Sequence, residues 1–171
     1  MPKSTIPLVI ATLETPIGPI RVGAHSDGLA RVLFDKQKDE TLVEDPTPSD
    51  AARAHLAAAL NALREYFAGE RQTFEDVTLA PAGTDFQLSV WRALLDIGHG
   101  DTCAYRDIAV KIGNPKAVRA VGLANGKNPI PVIVPCHRVI GANGTLTGFG
   151  GGLPSKKWLL EHEGALAGTL I

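Results

Sequence analysis

The chain has 171 residues, with 44% apolar and 20% charged side chains and a formal net charge of −1. That length fits one domain or two small ones and needs neither disulfides nor metal to hold a core; the composition excludes a disordered chain, and no apolar run reaches the roughly 20 residues of a membrane span. No long apolar h-region follows a basic start in Met1-Pro2-Lys3-Ser4-Thr5, so no signal peptide is expected, and two cysteines, Cys103 and Cys136, make no disulfide framework, which points to a reducing cytoplasm.

The first half opens with strand patterns. Leu8–Leu13, Ile20–Ala24 and Leu29–Phe34 are β-prone runs punctuated by Pro16-Ile17-Gly18-Pro19 and Ser26-Asp27-Gly28, which predicts a three-stranded antiparallel meander. Residues 35–49 read as a charged loop. A helix is expected from Asp50 to Phe67, with Ser49 as N-cap, Leu56, Leu60, Leu63 and Phe67 on one stripe, and Gly69 at its end. Phe74–Leu79 is a further short strand in this reading, and Pro81-Ala82-Gly83 marks a boundary. No reactive groups assemble here, so residues 1–82 are expected to be scaffold.

Thr84 and Gln87 form a capping-box pattern for a helix that Gly98 ends, with Phe86, Val90 and Leu94 on one face and Trp91 and Leu95 beside it. A short helix Tyr105–Lys111 turns Ile108 and Ile112 inward. After Gly113, Asn114 can cap and Pro115 can open the next helix, which runs to Asn125. These two make a helix-turn-helix candidate. Ala117, Ala120, Gly122 and Ala124 keep the second helix slim, suiting a minor groove of about 6 Å or tight core packing, with Val118 and Val121 inward. Ala142-Asn143-Gly144 resembles a hairpin turn between two short strands, and so a wing. Leu153–Glu163 is the last expected helix.

Charge divides the same way. Residues 1–83 carry 8 Lys/Arg and 12 Asp/Glu; residues 84–171 carry 9 and 6. From Ile108 to Leu160 there is no acid, while Lys111, Lys116, Arg119, Lys127, Arg138, Lys156 and Lys157 all fall there. A long one-sign segment points to a polyanion such as nucleic acid.

The reactive candidate lies within Pro129–Ile140, where an apolar run delivers Cys136, then His137, then Arg138. A thiol attacks as thiolate, and a neighbouring imidazole can take its proton directly or through one water. Residue type alone leaves Cys136 open as a buried structural thiol. The imidazole needs a carboxylate, and the nearest downstream are Glu161 and Glu163, about 200° apart around a helix axis, so one of them at most faces the site. The cysteine and histidine spacing makes no zinc pattern. Cys103, without an adjacent base, reads as structural.

Pro135-Cys136-His137-Arg138-Val139 resembles the acceptor-cysteine signature of the O6-alkylguanine-DNA alkyltransferases, the methylated-DNA–protein-cysteine methyltransferase family. Gly113–Gly122, Asn128-Pro129, Gly148–Leu153, Lys156–Glu163, Thr84–Gln87 and Val90-Trp91 continue the resemblance densely over about residues 84–165, with a looser match at Thr15–Ile20 and Tyr66-Phe67. It implies an N-terminal RNase H-like α/β domain, 1–82, and a C-terminal winged helix-turn-helix domain, 83–171. It implies direct-reversal repair: a damaged guanine is flipped from duplex DNA and its O6-alkyl group passes irreversibly to a cysteine, with O4-alkylthymine a second candidate substrate.

On this pattern Cys136 is the acceptor, His137 takes its proton through a water, Glu163 orients His137, and Asn128 holds the turn beside the active-site strand. Arg119 enters the base stack, and Tyr105 supports the rotated phosphate and hydrogen-bonds the leaving guanine. Arg106, Asn114, Lys116 and Ala117 join Arg119 and Tyr105 at the DNA; Val139, Phe149 and Gly150 line the alkylguanine pocket. Many relatives carry tyrosine where this chain has Phe149 and some a hydroxyl where it has Gly150, so a backbone N–H replaces that donor and bulkier alkyl groups fit. Some relatives bind zinc in the N-terminal domain; this half has no cysteine, so no metal and no cofactor is expected. The protein is expected to be a cytoplasmic monomer (nucleoid-associated in a bacterium), assembling cooperatively on DNA. Two readings rival this one: a non-catalytic alkylguanine-binding relative, against which Cys136 argues, and a cysteine hydrolase, which leaves the acid-free stretch unexplained.

Overall fold

The computed structural model describes residues 6–35, 37 and 42–165. The chain forms two compact units, Met1–Ala82 and Gly83–Ile171. In the first, β1 (Val9–Leu13), β2 (Ile20–His25) and β3 (Gly28–Phe34) make the expected antiparallel meander in the order β1-β2-β3. Val22 lies opposite both Ala11 and Val32, and a bulge falls at Gly23/Ala24. Ile20, Val22, Ala24, Leu29 and Val32 are buried, and α1 (Asp50–Phe67) packs over β2 and β3.

Ser49 caps α1 by accepting from the Ala52 N–H at 3.0 Å. The buried stripe is Ala52, Leu56, Ala59, Leu63 and Tyr66; the expected Leu60 and Phe67 are only half-buried. Small alanines let the helix approach the sheet closely, which rotates the stripe toward Tyr66. Part of the expected loop 35–49, residues 36 and 38–41, lies outside the described residues.

Phe74–Leu79 is not a strand. Its middle is a turn, and only a parallel bridge between Leu29 and Leu79 remains, held by Leu29 N–H to Thr78 O (2.9 Å) and Ala80 N–H to Leu29 O (2.7 Å). Gly28 permits this approach: a Cβ there would lie 2.8 Å from Thr78 O.

In the second unit α2 (Asp85–Leu94) has the full Thr84/Gln87 capping box, at 3.1 and 3.0 Å. It ends at Leu94, four residues before Gly98, because the N–H groups of Leu95, Asp96 and Ile97 close tighter turns onto Arg92, Ala93 and Leu94. Val90 and Leu94 are fully buried, and Trp91 donates through Nε1 to Ala124 O at 2.8 Å, tying α2 to α4. Leu95 is exposed.

The helix-turn-helix pair is α3 (Tyr105–Lys111) and α4 (Val118–Gly126). Asn114 does not cap α4: the Ala117 N–H first closes a turn onto Asn114 O (3.0 Å), and the helix starts at Val118. Val121 points inward as expected, but Val118 does not and is exposed, as is Leu123.

Cys136 lies on a 3-10 turn, Cys136–Arg138, and not on a strand. The strand that follows, β5 (Val139–Ile140), pairs in parallel with β4 (Cys103–Ala104). The expected turn forms, with Gly141 N–H to Thr145 O (2.9 Å) and Gly144 N–H to Gly141 O (2.8 Å), but among the described residues no return strand flanks it. Last comes α5 (Leu153–His162), capped at its end by Glu163.

Candidate active site

A tight loop between α4 and the 3-10 turn presents Cys136. Val132 sits there at φ 74°, a conformation that a β-branched residue rarely adopts and that costs about 1–3 kcal/mol. Asn128 braces it at both ends: its Oδ1 accepts from the Ile130 N–H (3.0 Å) and its Nδ2 donates to Val134 O (2.8 Å). Asn125 Nδ2 reaches Cys136 O at 3.4 Å. Residues Ile130 to Val139 are all buried, Cys136 at 5% exposure.

Burial pushes the Cys136 thiol up to about 11, opposed by a hydrogen bond from Asn128, the Lys156 charge and the backbone N–H groups of Cys136 and His137. At neutral pH it is a thiol surrounded by groups that would receive a thiolate.

His137 is fully buried and its Nε2 lies 2.8 Å from Glu163 Oε2. Hydrogen bonds and charge from His137 and Arg138 overcome burial and hold the Glu163 carboxyl far below its ordinary range. An ionised carboxylate can only accept, so Nε2 carries the proton and Nδ1 presents its lone pair. That Nδ1 is buried and has no hydrogen-bond partner among the described residues. Burial lowers the His137 pKa despite Glu163, which keeps the imidazole neutral and able to accept a proton. Glu161 is exposed and lies 3.8 Å from Lys157.

Other expected residues are distributed around this centre. Tyr105 opens α3; its hydroxyl lies 2.5 Å from Thr147 Oγ1, and its ring passes Gly122 of α4, where a Cβ would be 3.9 Å away. Arg119 on α4 is exposed, as are Asn114 and Lys116 before it and Arg106 on α3; Ala117 is half-buried. Val139 is buried, while Phe149 (half-buried) and Gly150 (exposed) occupy the loop before α5. Cys103 is half-buried, and burial raises its thiol to about 11.

Sequence reasoning missed two residues. Arg138 points inward onto Glu163, at 2.7 Å from Nε to Oε1 and 3.0 Å from a terminal nitrogen to Oε2. Lys156 is fully buried and donates to Val139 O (2.7 Å) and Thr147 O (3.3 Å); burial brings its pKa down to about 8. A signal for Lys156 existed: Lys156, Leu159, Leu160 and Glu163 share one helical face. The acid-free segment therefore offers DNA fewer cations than its composition suggests, because Arg138 and Lys156 face inward and Lys111 pairs with Asp96 at 2.7 Å. Lys116, Arg119 and Lys127 are exposed. Among the described residues no group of three or more His, Cys, Asp or Glu side chains could hold a metal, and no helix is long and apolar enough to cross a membrane.

A ribonuclease-like unit followed by a helix-turn-helix unit that buries a Cys-His-Glu constellation defines a class, and comparison places the chain within it. Residues 8–81 match the ribonuclease-like domain of 6-O-methylguanine DNA methyltransferase, and residues 85–165 match its DNA-binding domain. The methylated-DNA–protein-cysteine methyltransferase of Methanosarcina acetivorans is 52% identical over 155 residues, spanning 91% of this chain and 97% of its own. That of Mycobacterium tuberculosis is 50% identical over 152 residues, spanning 89% and 90%. The crystal structure of Mycobacterium tuberculosis OGT in complex with DNA superposes with a TM-score of 0.79 at 48% identity, covering 90% of this chain and 91% of the other. The chain belongs to the methylated-DNA–protein-cysteine methyltransferase family.

Proposed function

We propose that Cys136 is the acceptor in a single-use repair reaction. The protein repairs O6-alkylguanine in DNA by transferring the alkyl group to its own cysteine. In the proposed step the Cys136 proton passes through a water to His137 Nδ1. Sγ then attacks the alkyl carbon in line; an S–C bond forms, the C–O6 bond breaks, and the electron pair leaves on guanine. Tyr105 donates to the departing base, and Glu163 holds the imidazolium. The thioether has no activated bond, so nothing in the site regenerates Cys136.

The observation that carries this reading is the buried Cys136-His137-Glu163 set: the Nε2 side of His137 is held by Glu163, its Nδ1 is buried without a partner among the described residues, and burial keeps the preceding Cys136 thiol protonated. DNA is the partner; α4, with Arg119 exposed on it, approaches the groove, and Arg119 fills the gap left by the flipped base. Arg106, Asn114, Lys116 and Ala117 complete the DNA contact, while Val139, Phe149 and Gly150 line the guanine pocket. The same chemistry serves O4-alkylthymine. The protein acts as a monomer in the cytoplasm, at the nucleoid in a bacterium, and can assemble cooperatively along DNA.

Peptide mass mapping after incubation with an O6-methylguanine duplex tests this. A single methyl group is expected on the Cys136 peptide, and Cys136→Ala is expected to bind the duplex without gaining mass. Methyl transfer to another residue, or hydrolysis of small esters with no mass gain, overturns it.

A further inference from the structure

Arg138 is a buried charge that the proposed mechanism leaves unused. Only 6% exposed, its guanidinium makes three hydrogen bonds: Nε to Glu163 Oε1 at 2.7 Å, one terminal nitrogen to Oε2 at 3.0 Å, and the other to Ile97 O at 2.5 Å. Oε2 is the same oxygen that takes the His137 Nε2 proton. A carboxylate alone beside an imidazole strengthens it as a base and draws it toward the cation. Here a bidentate guanidinium occupies both oxygens and offsets that charge across the same oxygen.

We propose that Arg138 is a positioning residue that acts as a brake on the acceptor: by clamping both oxygens of Glu163 it keeps His137 neutral and holds Cys136 toward the thiol in the resting protein. The inference rests on reading Cys136 as the acceptor and His137 as its base. Its benefit is chemical. A protein that uses its cysteine once gains from a resting thiol that soluble electrophiles alkylate slowly.

The charged and titratable groups around His137 are few. Glu163 raises its basicity; Arg138 and Lys156 of α5 lower it. Cys136 precedes it, and the charges of Glu163 and Arg138 also reach His99, after α2. Lys156 opposes imidazole protonation as Arg138 does, but it also favours the thiolate directly. Arg138 has no such second effect among the causes that set the thiol, so the two are separable.

The test is the pH profile of iodoacetamide labelling of the full-length protein, read on the Cys136 peptide by mass spectrometry. Arg138→Met is expected to move the profile to lower pH by about one unit, labelling Cys136 about tenfold faster at neutral pH, while Arg138→Lys stays near the parent. A purely structural role would loosen the site and speed labelling at every pH without moving the midpoint. An unmoved or raised midpoint in folded Arg138→Met overturns the proposal. Should that variant fail to fold, Arg138→Gln, uncharged but still able to donate a hydrogen bond to Glu163, replaces it. It too is expected to titrate below the parent, and an unmoved midpoint in the folded variant overturns the brake. Failure of the repair reading would instead appear in the parent protein, as no alkyl uptake from DNA.

Discussion

Glu163 lies 26 residues after His137 in the chain and 2.8 Å from it in the fold. Nothing local in the sequence distinguishes it from Glu161, two residues away, yet one is buried against the imidazole and the other is exposed. Glu163→Gln is expected to keep the shape but weaken the stabilisation of the imidazolium, slowing alkyl transfer about tenfold or more. Glu161→Gln is expected to leave the rate unchanged. Single-turnover transfer by both variants, with folding checked by circular dichroism, decides this; loss of activity in Glu161→Gln alone contradicts the assignment. The pH dependence follows from the same residues. Because burial depresses the His137 pKa below its ordinary 6.5, transfer by the parent protein is expected to hold its rate down to below pH 6.5 and fall only when the imidazole protonates. An acid limb above 6.5 in a rapid-quench pH profile contradicts this.

On α4 small side chains permit close approach and Arg119 projects into solvent. Arg119→Ala is expected to slow repair of duplex substrate about tenfold more than reaction with free O6-alkylguanine, which requires no flipping. Lys116→Ala is expected to weaken duplex binding and reduce its salt slope by about one unit. Equal losses on base and duplex would mean that Arg119 supports the fold. Elements with local causes were legible: the Thr84/Gln87 box and the Ser49 cap are where their side chains put them. Elements that depend on distant partners were not. The start of α4 moved because a turn at Asn114 intervened, and Phe74–Leu79 reduced to a bridge at Leu79, beside the close approach that Gly28 permits. Of the site, Cys136 and His137 were legible as neighbours in a motif. The inward turn of Arg138 was not, because its partners Ile97 and Glu163 come from opposite sides of it in the chain.

For the molecule as a whole, the buried cluster couples stability to pH. His137, lowered from 6.5, stays neutral when folded while the unfolded chain takes up a proton below that pH. Glu163, lowered from 4.5, stays ionised while the unfolded chain protonates it. In both cases the unfolded state binds more protons, so stability falls with acid, first below pH 6.5 and further below 4.5. Urea unfolding across this range is expected to show both losses, with the lower one missing in Glu163→Gln; a variant as acid-sensitive as the parent would contradict the linkage. Above neutrality two effects oppose: Cys136, raised from 9.0 to about 11, lowers stability as pH rises, while Lys156, lowered from 10.5 to about 8, raises it. Stoichiometry is the signature of this chemistry, because no group in the site can reopen the thioether. Intact-mass measurement after prolonged incubation with excess O6-methylguanine duplex reads it. Repaired DNA is expected to rise to one equivalent of protein and stop, with every molecule heavier by one methyl group; several equivalents repaired by protein of unchanged mass would refute single use.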